Sequence, residues 1–186
     1  AFFTFAQVNP DLKERTITLN GVSKAYCMTG WRIGYCAGPR HLIQSMAKAQ
    51  SQSTSNPCSI SQKAALAALT GPTDALDAMV HTYETRRTWL VHRLNQIKGV
   101  NCMVPDGAFY LFPSIAAWLG KKCSNGLSLN SDIDVCAWLL EEAGVALVPG
   151  TEFGAPGHLR ISYAVAQETI EDAMDRIDLA VRSLID

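Results

Sequence analysis

The chain has 186 residues, enough for one sizeable core or for a small domain joined to part of another. Its residues are 48% apolar and 18% charged, a globular balance that excludes a disordered chain. A formal net charge of −1 leaves no electrostatic reason to bind nucleic acid or an anionic membrane.

The first five residues are apolar but lack the basic region of a signal peptide, and no stretch reaches the ~20 apolar residues of a membrane span. A cytoplasmic protein is expected. A start without Met, running almost directly into a strand, reads as a trimmed piece of a longer protein. Residues 16–19 alternate and stop at Asn20-Gly21, which predicts a strand ending in a turn. Residues 32–38 form a second short strand closed by Pro39, and apolar positions 42, 43, 46 and 49 mark a helix after it. Ser59-x-x-Gln62 reads as a capping box opening an Ala-rich helix that stops at Gly71-Pro72.

Residues 74–98 read as one long helix, with an apolar stripe at 76, 79, 80, 83, 90, 94 and 97 and Gly99 as its C-cap. Residues 100–104 and 108–112 read as strands joined through Pro105-Asp106-Gly107. Residues 120–131 are polar and form a loop. Ser131-x-x-Asp134 starts a helix with apolar residues at 133, 136, 137 and 140, ending at Gly144. Strands follow at 145–148 and 159–163. The last helix, about 167–184, carries its stripe at 170, 173, 174, 177, 180, 181 and 184. The six cysteines, at 27, 36, 58, 102, 123 and 136, include no C-x-x-C pair and read as buried, reduced thiols. The four histidines, at 41, 81, 92 and 158, lack metal-ligand spacing, and no metal site is expected.

The chemistry concentrates between residues 20 and 35. Lys24 and Arg32 stand eight positions apart in a run with no other charge. A lysine without a carboxylate nearby in sequence suits an amine available as a nucleophile, and a guanidinium among apolar residues and glycines suits a fixed phosphate. A Schiff-base lysine plus a phosphate arginine points to pyridoxal phosphate. Arg160 lies between apolar residues in a half-buried strand and needs an anionic partner. On the residues alone that partner would be the carboxylate of a core salt bridge. Tyr26 and Trp31 read as packing residues.

The run Ser23-Lys24-Ala25-Tyr26-Cys27-Met28-Thr29-Gly30-Trp31-Arg32-Ile33-Gly34-Tyr35 resembles, nearly residue for residue, the cofactor-lysine motif of the class I and II pyridoxal-phosphate-dependent aminotransferases. Ser53-Thr54-Ser55-Asn56-Pro57, Pro105-Asp106-Gly107-Ala108-Phe109-Tyr110 and Pro149-Gly150-Thr151-Glu152-Phe153-Gly154 follow in the family's order and read as turns and packing. Within the family the chain resembles the bacterial aspartate-specific members. Ser51 stands where one branch of them carries an arginine for the side-chain carboxylate, and Gly21 where some members carry a phosphate-binding serine.

The resemblance implies an α/β fold, the C-terminal part of a fold-type I transferase. Residues 1–75 would complete the large cofactor-binding domain, 76–99 would form a long linking helix, and 100–186 a small α+β domain. It implies that Lys24 holds pyridoxal 5'-phosphate as an internal aldimine and later moves the substrate α-proton. Arg32 would bind the cofactor phosphate and Arg160 the substrate α-carboxylate. Amino-acid and 2-oxo-acid substrates and a homodimer are implied as well. The family's partner for the pyridinium nitrogen and most of its phosphate cradle have no counterpart in these residues, so the chain alone is expected to be inactive. Two rival readings are a carbon–sulfur lyase on the same fold and a non-catalytic fragment serving packing or dimerisation.

Overall fold

The computed structural model describes residues 3–185. Two compact units divide the chain, one ending at Asp77 and the other beginning at Ala78.

The first unit opens on two single helical turns, α1 (Phe5–Val8) and α2 (Pro10–Lys13), rather than running directly into a strand. Local hydrogen bonds explain them: the Gln7 side chain accepts from the Thr4 N–H at 2.8 Å, and Asn9 Oδ1 accepts from the Asp11 N–H at 2.9 Å. Strands β1 (Thr18–Gly21) and β2 (Gly34–Ala37) then pair antiparallel, with Thr18 opposite Ala37 and Gly21 opposite Gly34. Helix α3 (Arg40–Ser53) follows Pro39 as expected. Helix α4 (Ser59–Thr70) starts at Ser59, but its cap is Cys58 and the expected capping box does not form. The Gln62 amide turns instead to the Pro57 carbonyl at 2.8 Å. Val22, Met28 and Ala65 form a small buried apolar cluster in this unit, while Leu19, Ile60 and Leu66 are exposed.

Helix α5 (Asp74–Leu94) stops four residues short of the expected end. The Asn95 side chain is the cause. Its Nδ2 donates to the Val91 and Cys102 carbonyls, both at 2.9 Å, and its Oδ1 accepts from the Cys102 N–H at 2.9 Å. That same contact removes the strand expected at 100–104. The segment keeps a single bridge, Asn101 to Ser114, and Met103 and Val104 face solvent. The next strand shrinks to β3 (Tyr110–Leu111), because Ala108 takes a left-handed φ of 64°.

Helix α6 (Asp132–Ala143) has the expected capping box, with Ser131 Oγ accepting from the Asp134 N–H and Asp134 Oδ2 from the Ser131 N–H. Gly144 ends it at φ 64°, a left-handed cap that glycine adopts without penalty. Its buried face is Asp132, Val135, Trp138, Leu139 and Ala143, however, while Ile133 and Leu140 of the expected stripe are exposed. The helix is apolar almost all round, so spacing did not define one face. Strand β4 (Val148–Pro149) is shorter than expected, and β5 (Leu159–Ser162) runs between β3 and β4, antiparallel to both. Helix α7 (Gln167–Arg182) buries Ile170, Met174, Ile177, Ala180 and Val181, five of the seven stripe positions, with Ala173 and Leu184 packed at the margin.

The core of this second unit joins Leu90, Val91 and Leu94 of α5 to Leu111, Leu159 and Ile161 of the sheet and to the inner faces of α6 and α7. Each such side chain contributes about 1.5–3 kcal/mol of burial. Of the six cysteines only Cys102 and Cys123 are buried; Cys27 and Cys58 are exposed because their loop and cap positions face solvent. Burial pushes the Cys102 thiol up to about 11. Among the described residues no helix is long and apolar enough to cross a membrane.

Candidate active site

Lys24 and Arg32 share the loop of residues 22–33 that joins β1 to β2. The pairing of Gly21 with Gly34 closes the hairpin just before it, so both side chains belong to the same end of the ribbon. Packing anchors the loop. Val22 is fully buried and Met28 nearly so, both against Ala65 of α4, with Tyr26, Ile33, Ala64 and Ala68 around them. Between these anchors the chain folds tightly: the Tyr26 N–H donates to the Val22 carbonyl and the Cys27 N–H to the Lys24 carbonyl, both at 3.2 Å. Lys24 sits on this turn and is exposed.

A short 3-10 turn, Thr29–Trp31, leads into Arg32, whose backbone is left-handed at φ 51° and ψ 49°. Its Nη1 donates to the Thr29 carbonyl at 2.8 Å, and the side chain is exposed. A left-handed arginine is strained by about 1–3 kcal/mol, so the packed loop and not local preference sets its place. Cys27, at φ 53°, is a second such residue in the same loop. Tyr26 packs half-buried against the anchors, as expected, but Trp31 is exposed, because the 3-10 turn directs it away from the Val22 cluster.

Arg160 lies in the second unit at the middle of β5, half-buried, opposite Val148. Strand alternation puts Leu159 and Ile161 into the core and Arg160 on the other face. The guanidinium carbon stands 4.6 Å from the ring centre of Tyr110 and 4.6 Å from that of Phe153. Phe153 meets Phe112 edge-on at 6.1 Å, and Phe112 stacks on His158 at 5.2 Å. Arg93, Arg176 and Arg182 form ion pairs with aspartates of α7, whereas Arg160 takes part in none among the described residues. The internal salt bridge open to the sequence is therefore not formed among the described residues.

Phe153 closes the 3-10 turn Gly150–Phe153, which is tied down at several points. Buried Asp132 accepts from both the N–H and the Oγ1 of Thr151, each at 2.7 Å. Burial opposes the Asp132 charge, but these bonds, with backbone donors of Asp132 and Gly157, hold its carboxyl below the ordinary value. The Gly150 N–H donates to the His158 carbonyl at 2.8 Å, and a Cβ at Gly150 would overlap the Ala155 carbonyl oxygen, so glycine is required there. Sequence reasoning took both segments around Arg160 as packing. Nothing in the spacing of Tyr110 and Phe153 announces that they meet at one arginine, or that Asp132 ties down the turn carrying Phe153.

The model of the family "Aminotransferase class I and II" matches residues 2–177. The chain belongs to this aminotransferase family. It is 52% identical over 179 residues to the aspartate aminotransferase of Rhizobium meliloti strain 1021, covering 96% of this chain and 44% of that protein. It is 52% identical over 176 residues to an aspartate/prephenate aminotransferase of Cereibacter sphaeroides, covering 95% and 44%. The crystal structure of a Rhizobium meliloti aspartate aminotransferase superposes with a TM-score of 0.95 at 51% identity, over 99% of this chain and 46% of that one. This aminotransferase chain thus spans a little under half the length of the relatives it matches. Its mixed α/β architecture is that of a fold-type I enzyme, as the motif implied.

Proposed function

We propose that the protein is a pyridoxal-phosphate-dependent aminotransferase that moves an amino group between an α-amino acid, aspartate first, and a 2-oxo acid. The observation that carries this reading is the anchored hairpin loop, which offers one primary amine and one guanidinium from twelve residues. The donor set fits the cofactor. Lys24 Nζ suits an aldehyde, and the Arg32 fork, with Nη1 braced on the Thr29 carbonyl, suits a phosphate. The identity of about half to aspartate aminotransferases supports the substrate class.

When bound, pyridoxal phosphate supplies an electrophilic carbon and a ring that absorbs the electrons left at the substrate Cα. Lys24 Nζ would hold the cofactor through its aldehyde and, once released, would serve as the base that accepts the substrate Cα proton. Arg32 neutralises the phosphate and fixes the cofactor's orientation. Arg160 would take the substrate α-carboxylate in a planar fork. Residues 1–75 form part of the large cofactor-binding domain, 76–99 the linking segment and 100–186 the small domain. The working enzyme is a cytoplasmic homodimer.

Borohydride reduction of the full-length protein with bound cofactor, followed by peptide mapping, tests the central role. The expected result is a pyridoxyl group on Lys24, lost together with transamination in Lys24→Ala. A pyridoxyl group on another lysine overturns the assignment.

A further inference from the structure

The two aromatic rings beside Arg160 do something a packing contact alone does not require. A guanidinium carries all five N–H donors in its plane, and both rings lie 4.6 Å from its central carbon. Contacts of this length hold the cation through the ring quadrupole while leaving the in-plane donors unspent. Tyr110 is fixed by its place in β3 opposite Ser162. Phe153 is fixed from behind, by the Asp132 bonds to Thr151, by the close passage of Gly150 under Ala155 and by the edge contact with Phe112. A long, flexible side chain is thus held on a strand with no carboxylate of its own to hold it.

We propose that Phe153, with Tyr110, is a positioning residue for Arg160: the pair sets the guanidinium so that its N–H fork meets the substrate α-carboxylate already oriented. This rests on the carboxylate role of Arg160 given above. Pre-ordering removes conformational freedom before the substrate arrives, so its loss appears in binding. Phe153 is half-exposed, and Phe153→Leu keeps an apolar side chain while removing the ring.

The test uses the full-length holoenzyme. Phe153→Leu is expected to raise the calorimetric Kd for 2-oxoglutarate and the KM for aspartate roughly tenfold, with kcat and the bound-cofactor absorbance little changed. Phe153→Tyr, which restores a ring, returns both values to near wild type. In an Arg160→Ala background Phe153→Leu adds nothing further. Tyr110→Leu gives the same pattern and serves if Phe153→Leu does not fold. A Phe153→Leu effect that persists undiminished in the Arg160→Ala background, or a normal Kd in Phe153→Leu and Tyr110→Leu, overturns the positioning role while leaving Arg160 in place. Unchanged 2-oxoglutarate binding in Arg160→Ala alone removes the carboxylate reading and the positioning role with it.

Discussion

Arg32 and Arg160 present the same guanidinium from different supports. Arg32 is placed by a strained backbone and one bond from Nη1 to Thr29, and its side chain meets solvent. Arg160 is placed by a regular strand and by the faces of two rings. The two substitutions should therefore separate cleanly in the full-length enzyme. Arg32→Ala is expected to weaken cofactor affinity roughly ten- to hundredfold, the worth of a charge-assisted hydrogen bond, as read by absorbance titration. Arg160→Ala is expected to leave that titration unchanged and to lower kcat/KM for aspartate by a similar factor. Unaltered cofactor affinity in Arg32→Ala would remove its phosphate role. That Lys24 and Arg32 share one loop is legible in the sequence, because both stand in one short run between two strand signals. The place of Phe153 is not, since its partner lies on another strand and its turn is fixed by Asp132, nineteen positions before Thr151.

Helices α5, α6 and α7 are held by two acid centres as well as by apolar faces. Arg93 on α5 reaches Asp175 at 3.1 Å and Asp178 at 3.0 Å on α7, and Arg182 reaches Asp178 at 2.8 Å. The hydrogen bond from Arg182, aided by Arg93 against the effect of burial, keeps the Asp178 carboxyl below its ordinary value. Asp132 is likewise lowered. An unfolded aspartate ionises near ~3.9, so both groups bind protons more weakly when folded. Their stabilisation is complete above roughly pH 5 and is lost as pH falls past the unfolded value and through the lower folded ones. Asp132→Asn and Asp178→Asn should each flatten this acid limb of urea midpoints measured against pH, and Arg93→Ala should cost about 1–3 kcal/mol at neutral pH. Equal acid sensitivity in wild type and Asp132→Asn would show that Asp132 contributes nothing to it. The elements were legible in proportion to their polar faces. Helix α7 carries a clear polar side and its stripe was read correctly. Helix α6 has only a narrow one, with Asp134 and Glu141, and it buries the acid Asp132 against Thr151, which spacing does not reveal. The end of α5 and the missing strand after it both follow from one asparagine side chain that takes the backbone donor of Cys102.

The two units differ in how much core they own. The second joins a three-stranded sheet to three helices over more than twenty buried apolar residues, whereas the apolar cluster described in the first has just three buried members, Val22, Met28 and Ala65. Its two-stranded sheet has Leu19 exposed on β1, and a lone hairpin of this kind is marginal in water. Unpaired strand edges beside apolar surface favour association between copies. The relatives are about twice as long, and the chain matches 44% of the Rhizobium meliloti protein. A 186-residue chain produced by itself is therefore expected to fold its second unit cooperatively, to self-associate through the first, and to make no glutamate from aspartate and 2-oxoglutarate with added pyridoxal phosphate. Sedimentation, a thermal melt and a coupled glutamate assay on protein of verified mass measure all three. On the proposed reading Lys24 and Arg32 would supply an amine and a phosphate partner, but holding the cofactor ring and keeping its nitrogen protonated would need further groups, without which the ring withdraws electrons weakly. Turnover by the monomeric 186-residue chain would mean that those groups lie within it, and the division of the active site between this chain and the remainder of a longer enzyme would have to be abandoned.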